Sequence, residues 1–262
     1  MRKIHRLEIA VVIWATIIFF LLFNIVVKAS EDSQKMIAFT FDDGPNPVYT
    51  ERLLDGLAAR NAKATFFVVG ERLDFNAKKS NTKKCRELVA RMAKEGHTVG
   101  NHSYSHCWLS KTDPAKVRFE LEKTSQFIQE ITGMEVKYMR PPGGSSLTAP
   151  WVREIAAPMI TVCWGNYDTK DWKNRDVDSM VKMITENTHD GDIILLHDNY
   201  ETSIEAALRA IDVLSAEGYR FVTVDELLSR NLGDKWELDP MRIYCTMEDG
   251  DVSKLKEKND GR

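Results

Sequence analysis

The chain has 262 residues, with 36 basic and 39 acidic side chains and a formal charge of -3. That balance lacks the strong positive field of a nucleic-acid binder, so nucleic acid is set aside as a partner. The length suits one catalytic domain with a normal buried core plus a short attachment, and no second domain is needed.

The first predicted element is a membrane span. A basic N-terminus over 1–8, with Arg2, Lys3 and Arg6, precedes an apolar run from Ile9 to Val27 that only Thr16 and Asn24 interrupt. About 19 residues at about 1.5 Å each cover a hydrocarbon core of roughly 30 Å, whereas the apolar part of a cleaved signal is usually about 7 to 15 residues. The expected element is a transmembrane signal-anchor helix over 9–27, with basic residues keeping the N-terminus in the cytoplasm and the catalytic domain outside. Cleavage after Ala29 would instead release that domain. A linker over 28–34 leads into the domain at 35–232, followed by a C-terminal extension over 233–262, whose charged end after Asp249 is expected to fray.

Within the domain, β-prone runs alternate with helical patterns. The patterns predict strands over 36–41, 64–69, 98–100, 136–139, 160–164, 192–196 and 220–224, and helices over 48–60, 83–95, 114–132, 149–157, 177–188 and 203–217. Gly96, Gly133 and Gly218 stand as C-terminal stops, and Asp113-Pro114 reads as a helix start with Asp113 as the cap. The fold these elements imply is a parallel α/β barrel. Cys85, Cys107, Cys163 and Cys245 show no Cys-x-x-Cys spacing, which argues against a structural zinc knuckle. Three disulfide pairings are open in an oxidising compartment and none is selected.

Chemistry concentrates in five short runs. Thr40-Phe41-Asp42-Asp43-Gly44-Pro45 follows an apolar strand, and His102-Ser103-Tyr104-Ser105-His106 comes some sixty residues later. Adjacent aspartates are often only a turn, and an isolated His-x-x-x-His is often a packed pair. Three further runs raise the reading: Arg140-Pro141-Pro142-Gly143-Gly144, Asp168-Thr169-Lys170-Asp171-Trp172 and Ile193-Ile194-Leu195-Leu196-His197-Asp198. Each places a titratable or donor group after a β-prone stretch, where an α/β barrel gathers its chemistry. Imidazoles four apart would share one face of a helical turn, and one aspartate would complete a three-ligand metal site. The open coordination position would hold water with a pKa lowered toward about 7, and the second aspartate would take its proton. Cys107, beside His106, is read as packing rather than as a further ligand.

In order and spacing, the five motifs resemble those of the polysaccharide deacetylases of carbohydrate esterase family 4, the NodB homology domain, over about 35–229. One departs from the pattern, since the family commonly has tyrosine where Gly143 stands. The resemblance implies a distorted, incomplete (β/α)7 barrel. It implies that Asp43, His102 and His106 hold the metal, that Asp42 is the general base, and that Arg140 fixes the Asp42 rotamer and keeps it ionised. His197 would be the general acid for the leaving amine, oriented and kept charged by Asp171. A backbone N–H near Gly143 would help stabilise the oxyanion, Trp172 would shield Asp171, and Leu195 would line the pocket for the acetyl methyl. Zn²⁺ suits the mixed nitrogen and oxygen set, with Co²⁺, Ni²⁺ or Mn²⁺ as other choices. His97 is expected to be structural, His5 and His189 receive no role, and Asp168 and Asp198 are expected to serve as turn formers or outer acceptors. The expected substrate is an N-acetylhexosamine polymer at the bacterial cell membrane, first of all the N-acetylglucosamine of peptidoglycan. Chitooligosaccharide and acetylated xylan are the alternatives, and a non-catalytic carbohydrate-binding domain is the outside reading.

Overall fold

Strand β1 (Met36–Gly44) lies inside a parallel sheet, flanked on both edges by other strands, and is buried on both faces. Alternate residues point to opposite sides. Ile37, Phe39 and Phe41 pack toward the helices, whereas Met36 and Ala38 join an inner cluster with Phe67, Tyr138 and Val162. A nearly continuous apolar run is what a strand covered on both faces requires, and each buried aromatic contributes roughly 1.5–3 kcal/mol. The computed structural model describes Trp14 and residues 17–20, 34–77, 80–144, 147, 149–165, 167–230 and 237–246.

β1 pairs with β2 (Ala64–Val68) on one side and β6 (Ile193–His197) on the other, and β7 (Arg220–Phe221) pairs with its first residues. Beyond β2 the sheet continues through β3 (Thr98–Asn101), β4 (Tyr138–Met139) and β5 (Ile160–Val162) to β8 (Ile243–Tyr244), each strand parallel to its neighbour. The crossovers carry helices α1 (Tyr49–Ala59), α2 (Thr82–Lys94), α3 (Pro114–Thr132), α4 (Pro150–Ala156), α5 (Val177–Asn187) and α6 (Glu201–Ala216). This is a parallel α/β half-barrel, not the closed barrel that the pattern alone implies, and it agrees with the incomplete barrel that the family resemblance implies. Helix α3 begins as expected, with Asp113 accepting from the Ala115 N–H at 2.9 Å and Pro114 in the first turn. It ends at Gly133, whose φ of +70° suits a residue without a Cβ.

Two elements depart from the sequence expectation. The predicted strand over 220–224 stops at Phe221, because Thr223 accepts from the Glu226 N–H at 3.1 Å and caps a further helix, α7 (Val224–Ser229). Val224, Leu227 and Leu228 of α7 fill the inner cluster. The second departure is β8, which lies in the stretch expected to be an extension. Thr161 and Val162 pair with Ile243 and Tyr244, Cys163 and Cys245 form a disulfide with Cα atoms 4.6 Å apart, and Thr246 bridges to Asp192 just before β6. The segment therefore spans the gap between β5 and β6.

The chain divides into two units, residues 1–35 and 36–262. In the first, Trp14 and residues 17–20 are helical, and the rest of the expected anchor over 9–27 lies outside the described residues, as does the tail after residue 246. Among the described residues no helix is long and apolar enough to cross a membrane.

Candidate active site

Neighbouring residues on a strand normally point to opposite faces, so Asp42 and Asp43 should not serve one site. A register shift in the β1–β2 pairing between Asp42 and Gly44, together with a φ of +70° at Asp43, turns the second carboxylate back toward the first. Bulges of this kind re-aim side chains beside active sites. His102 Nε2 consequently lies 3.7 Å from Asp42 Oδ2 and 3.3 Å from Asp43 Oδ1. Gly44 cannot carry a side chain here, because a Cβ would sit 2.3 Å from Asp198 Oδ2.

His102 and His106 do not share a helical turn, which corrects the sequence expectation. They lie in a loop after β3 in which Ser103 and His106 have φ of 64° and 58°. A local contact and one from helix α3 impose that path. The Ser103 N–H donates to Asn101 Oδ1 at 2.8 Å, and the Ser105 N–H and hydroxyl donate to the buried Glu120 carboxylate of α3 at 2.6 and 2.7 Å. The loop brings His106 Nε2 to 2.9 Å from Asp43 Oδ1, with the two imidazole centroids 5.1 Å apart.

The ligand atoms of Asp43, His102 and His106 all lie within 4.8 Å of one another, a set able to hold a metal ion. Two further observations fit a divalent cation. His102 Nδ1 faces the Arg140 carbonyl oxygen at 2.7 Å, so it carries the proton there and leaves Nε2 with a free lone pair. Asp43 Oδ1 is buried without a hydrogen bond although two imidazole nitrogens stand beside it. Burial opposes ionisation of Asp43, yet the His102 and His106 imidazoles more than offset it and hold its carboxyl well below the ordinary range. The Asp43 carboxylate in turn raises the pKa of His106. Cys107 is half-buried, packs on the core and accepts from the Thr112 hydroxyl at 3.6 Å, outside the cluster.

Asp42 stays apart from this set, held by a fully buried cation. Arg140 Nη1 donates to Asp42 Oδ1 at 2.9 Å and to the Thr40 hydroxyl at 2.7 Å, while Nη2 donates to the Cys163 carbonyl at 2.5 Å. Its guanidinium carbon lies 4.4 Å from the Phe67 ring centroid. Burial lowers the pKa of Arg140 and the Asp42 carboxylate resists that. Such a pair is stable only when its remaining donors are satisfied, as Thr40 and Cys163 do here.

Across the ladder, Asp42 is the direct partner of His197 in the β1–β6 pairing. Asp171, fully buried, accepts from the His197 backbone N–H at 2.7 Å, from its Nδ1 at 2.8 Å and from the Ser203 hydroxyl at 2.6 Å. Burial opposes a charge on the imidazole, but Asp171, with Asp42 and Asp43 beyond it, lifts its pKa to about 9. The ring therefore holds Nε2–H toward the cavity at neutral pH. Asp198, next in sequence, has its pKa pushed up to about 7 by burial and accepts from the Thr50 hydroxyl, and Asp168 accepts from the Lys170 N–H at 2.9 Å in a turn. His97 is structural: burial lowers its pKa to about 4, and its Nδ1 accepts from the Ala64 N–H at 3.1 Å.

These groups open onto a cavity of about 230 Å³ lined by Asp42, Asp43, His102, His106, Gly143 and His197, with Trp164, Trp172 and Leu195 as its apolar wall. All ten residues singled out from sequence thus gather at one end of the sheet. Leu195 is 5% exposed and Trp172 38%, which puts the first in the wall and the second on the rim. Trp164 was not singled out, because it sits at the end of a predicted strand and reads as core. A second cavity of about 410 Å³, lined by Arg72, Asn81, Ser105 and Asn199 among others, shares Asp43 and His106 with the first.

Residues 29–157 match the family model for polysaccharide deacetylase. A peptidoglycan-N-acetylglucosamine deacetylase of Bacillus cereus is 37% identical over 201 residues, which are 75% of this chain and 90% of that protein. The peptidoglycan-N-acetylmuramic acid deacetylase PdaC of Bacillus subtilis is 37% identical over 198 residues, 75% of this chain but 39% of that longer protein. Among solved structures, a family 4 acetyl xylan esterase from Clostridium thermocellum in complex with a cobalt ion matches with a TM-score of 0.71 at 33% identity. That match covers 82% of this chain and 100% of the other.

Proposed function

The chain belongs to the polysaccharide deacetylase family, and on that footing we propose that it hydrolyses the N-acetyl groups of an N-acetylhexosamine polymer, foremost the N-acetylglucosamine of peptidoglycan. The observation that carries this reading is the separation of two neighbouring carboxylates. Asp43 faces two imidazoles, whereas Asp42 is reserved by Arg140. A base and an acid then stand on opposed strands, Asp42 against His197.

Asp43, His102 and His106 would hold a divalent ion, Zn²⁺ first by its preference for such ligands, which would supply Lewis-acid polarisation and lower the pKa of water. Asp42 accepts the proton of the attacking water, its geometry fixed by Arg140. His197, charged through Asp171, donates its Nε2 proton to the amide nitrogen as the C–N bond breaks, so acetate and a free amine leave. The backbone at Gly143 faces the same cavity, where an N–H donor would receive the developing oxyanion. Leu195 and Trp164 exclude water around the acetyl methyl, and Trp172 covers the Asp171 side of the rim.

The apolar segment over 9–27 anchors the domain in the bacterial cell membrane with the catalytic residues outside, beside the wall; its support is the basic residues that precede the run. The test is acetate release by full-length protein from tetra-N-acetylchitotetraose, muropeptides and acetylated xylan, with and without chelator. Metal-dependent release from the N-acetylated glycans supports the reading. Release from xylan alone would reassign the substrate, and release unaffected by metal removal would reject the chemistry.

A further inference from the structure

Trp108 lies two residues beyond His106, in a loop whose next residue, Leu109, is fully buried while the indole itself stays 48% exposed. The backbone of that loop is held at Trp108 itself. The Trp108 carbonyl accepts from the Lys111 N–H at 2.9 Å and from the Thr112 hydroxyl at 3.0 Å, and the Lys111 ammonium sits 4.1 Å from the ring centroid. A single exposed aromatic is common on a protein surface, so exposure by itself gives this ring no role.

Its position supplies one. The pyrrole edge of the indole abuts Gly143: a Cβ on that glycine would lie 3.4 Å from Trp108 Nε1 and 3.7 Å from Cε2. Gly143 forms part of the catalytic cavity, and with φ of +63° it occupies backbone space that disfavours a side chain. The bare glycine leaves one flank of the groove open, and Trp108 stands against that glycine from a different segment. Its Nε1–H has no acceptor among the described residues.

We propose that Trp108 is a substrate-binding residue, stacking on the C–H face of a hexopyranose ring next to the sugar under attack, with Nε1–H donating to a hydroxyl of that glycan. The proposal rests on the deacetylase reading. An aromatic side chain has only two torsions to freeze on contact, and an aromatic face with one polar edge matches a sugar, which presents both C–H and O–H groups. The residue acts on a neighbouring unit of the polymer and leaves the reacting atoms to Asp42 and His197.

The experiment compares full-length wild type with Trp108→Ala and Trp108→Phe, measuring acetate release from tetra-N-acetylchitotetraose and from N-acetylglucosamine monomer. Trp108→Ala is expected to raise KM for the tetramer roughly tenfold with kcat within about twofold, and to leave kcat/KM for the monomer unchanged. Trp108→Phe, which keeps a ring and loses the donor, falls between. Tetramer binding to Asp42→Asn with and without Trp108→Ala, followed by calorimetry, gives a readout independent of turnover and should show the same weakening. An unchanged KM and affinity overturn the inference while the deacetylase reading stands. A collapse of kcat at constant KM also overturns it, since that would mean the ring only supports the His106 loop. Failure of the wild type to release acetate from any N-acetylated glycan overturns the reading and the inference together.

Discussion

Arg140 and Asp42 form a buried ion pair at 2.9 Å in which the guanidinium is fully enclosed and the carboxylate nearly so. Removing the cation leaves a buried charge without compensation, which typically costs about 3–5 kcal/mol. Arg140→Ala should therefore unfold at markedly lower denaturant concentration as well as lose activity. Arg140→Lys should recover part of the stability and little of the rate, because a single ammonium cannot reach Asp42, Thr40 and the Cys163 carbonyl at once. Chemical denaturation alongside acetate release separates the two effects.

Asp42→Asn should lower kcat by about 10²–10⁴-fold while bound metal, measured by elemental analysis, stays at the wild-type level. Metal loss in this variant would show that Asp42 is a ligand rather than the base.

His197 gives a pH dependence of known sign. Its folded pKa, about 9, stands above the ordinary value near 6.5, so its ionisation stabilises the fold. That contribution is complete below about pH 6.5 and is lost as pH rises through about 9. The same deprotonation removes the general acid, so the basic limb of kcat follows it, shifted to lower pH by repulsion from a bound cation. Asp171→Asn should move the imidazole titration downward. Histidine-selective NMR titration of the metal-free protein checks both, and a limb unmoved in Asp171→Asn would exclude His197 as its source.

Zn²⁺ should raise the melting temperature, because a ligand that binds only the folded state at 100 times its Kd stabilises it by about 2.7 kcal/mol. Chelator should reverse the shift, and His102→Ala should abolish it. A melting curve insensitive to metal would show that Asp43, His102 and His106 cluster without binding.

Cys163→Ser combined with Cys245→Ser opens a loop of 82 residues of sequence separation. Loss of such a cross-link typically costs about 2–4 kcal/mol, or roughly 5–15 °C in melting temperature for a domain of this size. Reducing agent should lower the wild-type transition to the same value and leave the variant where it is.

That the ten residues gather at one end of the sheet was foreseeable because they sit in short runs at strand ends, where a parallel α/β sheet collects chemistry. How they converge was not readable. Asp42 and Asp43 share a site only through a register shift, and His102 meets His106 only because Asn101 and Glu120 hold the loop in a left-handed path. Spacing alone suggested a helical turn. Strands β1, β2 and β6 were legible as apolar runs, whereas β8 is two residues long and owes its place to Thr161, Val162 and Cys163 far earlier in the chain. Helix α7 carried a visible signal in Thr223 and Glu226, overridden by the β-branched residues before it. Trp164 escaped notice because an aromatic side chain in a sequence does not say which cavity it will meet.

The place of β1 also sets when the molecule can become folded. Phe39 and Phe41 near the start of the chain are sandwiched against Ile194 and Leu196, and Met36 waits for Arg220. Contacts so distant along the backbone must overcome a large loop-closure entropy, so they form slowly and late. A chain made in order can pair β1 with β2 early, whereas the flank of β1 that β6 covers stays open until His197 has been added.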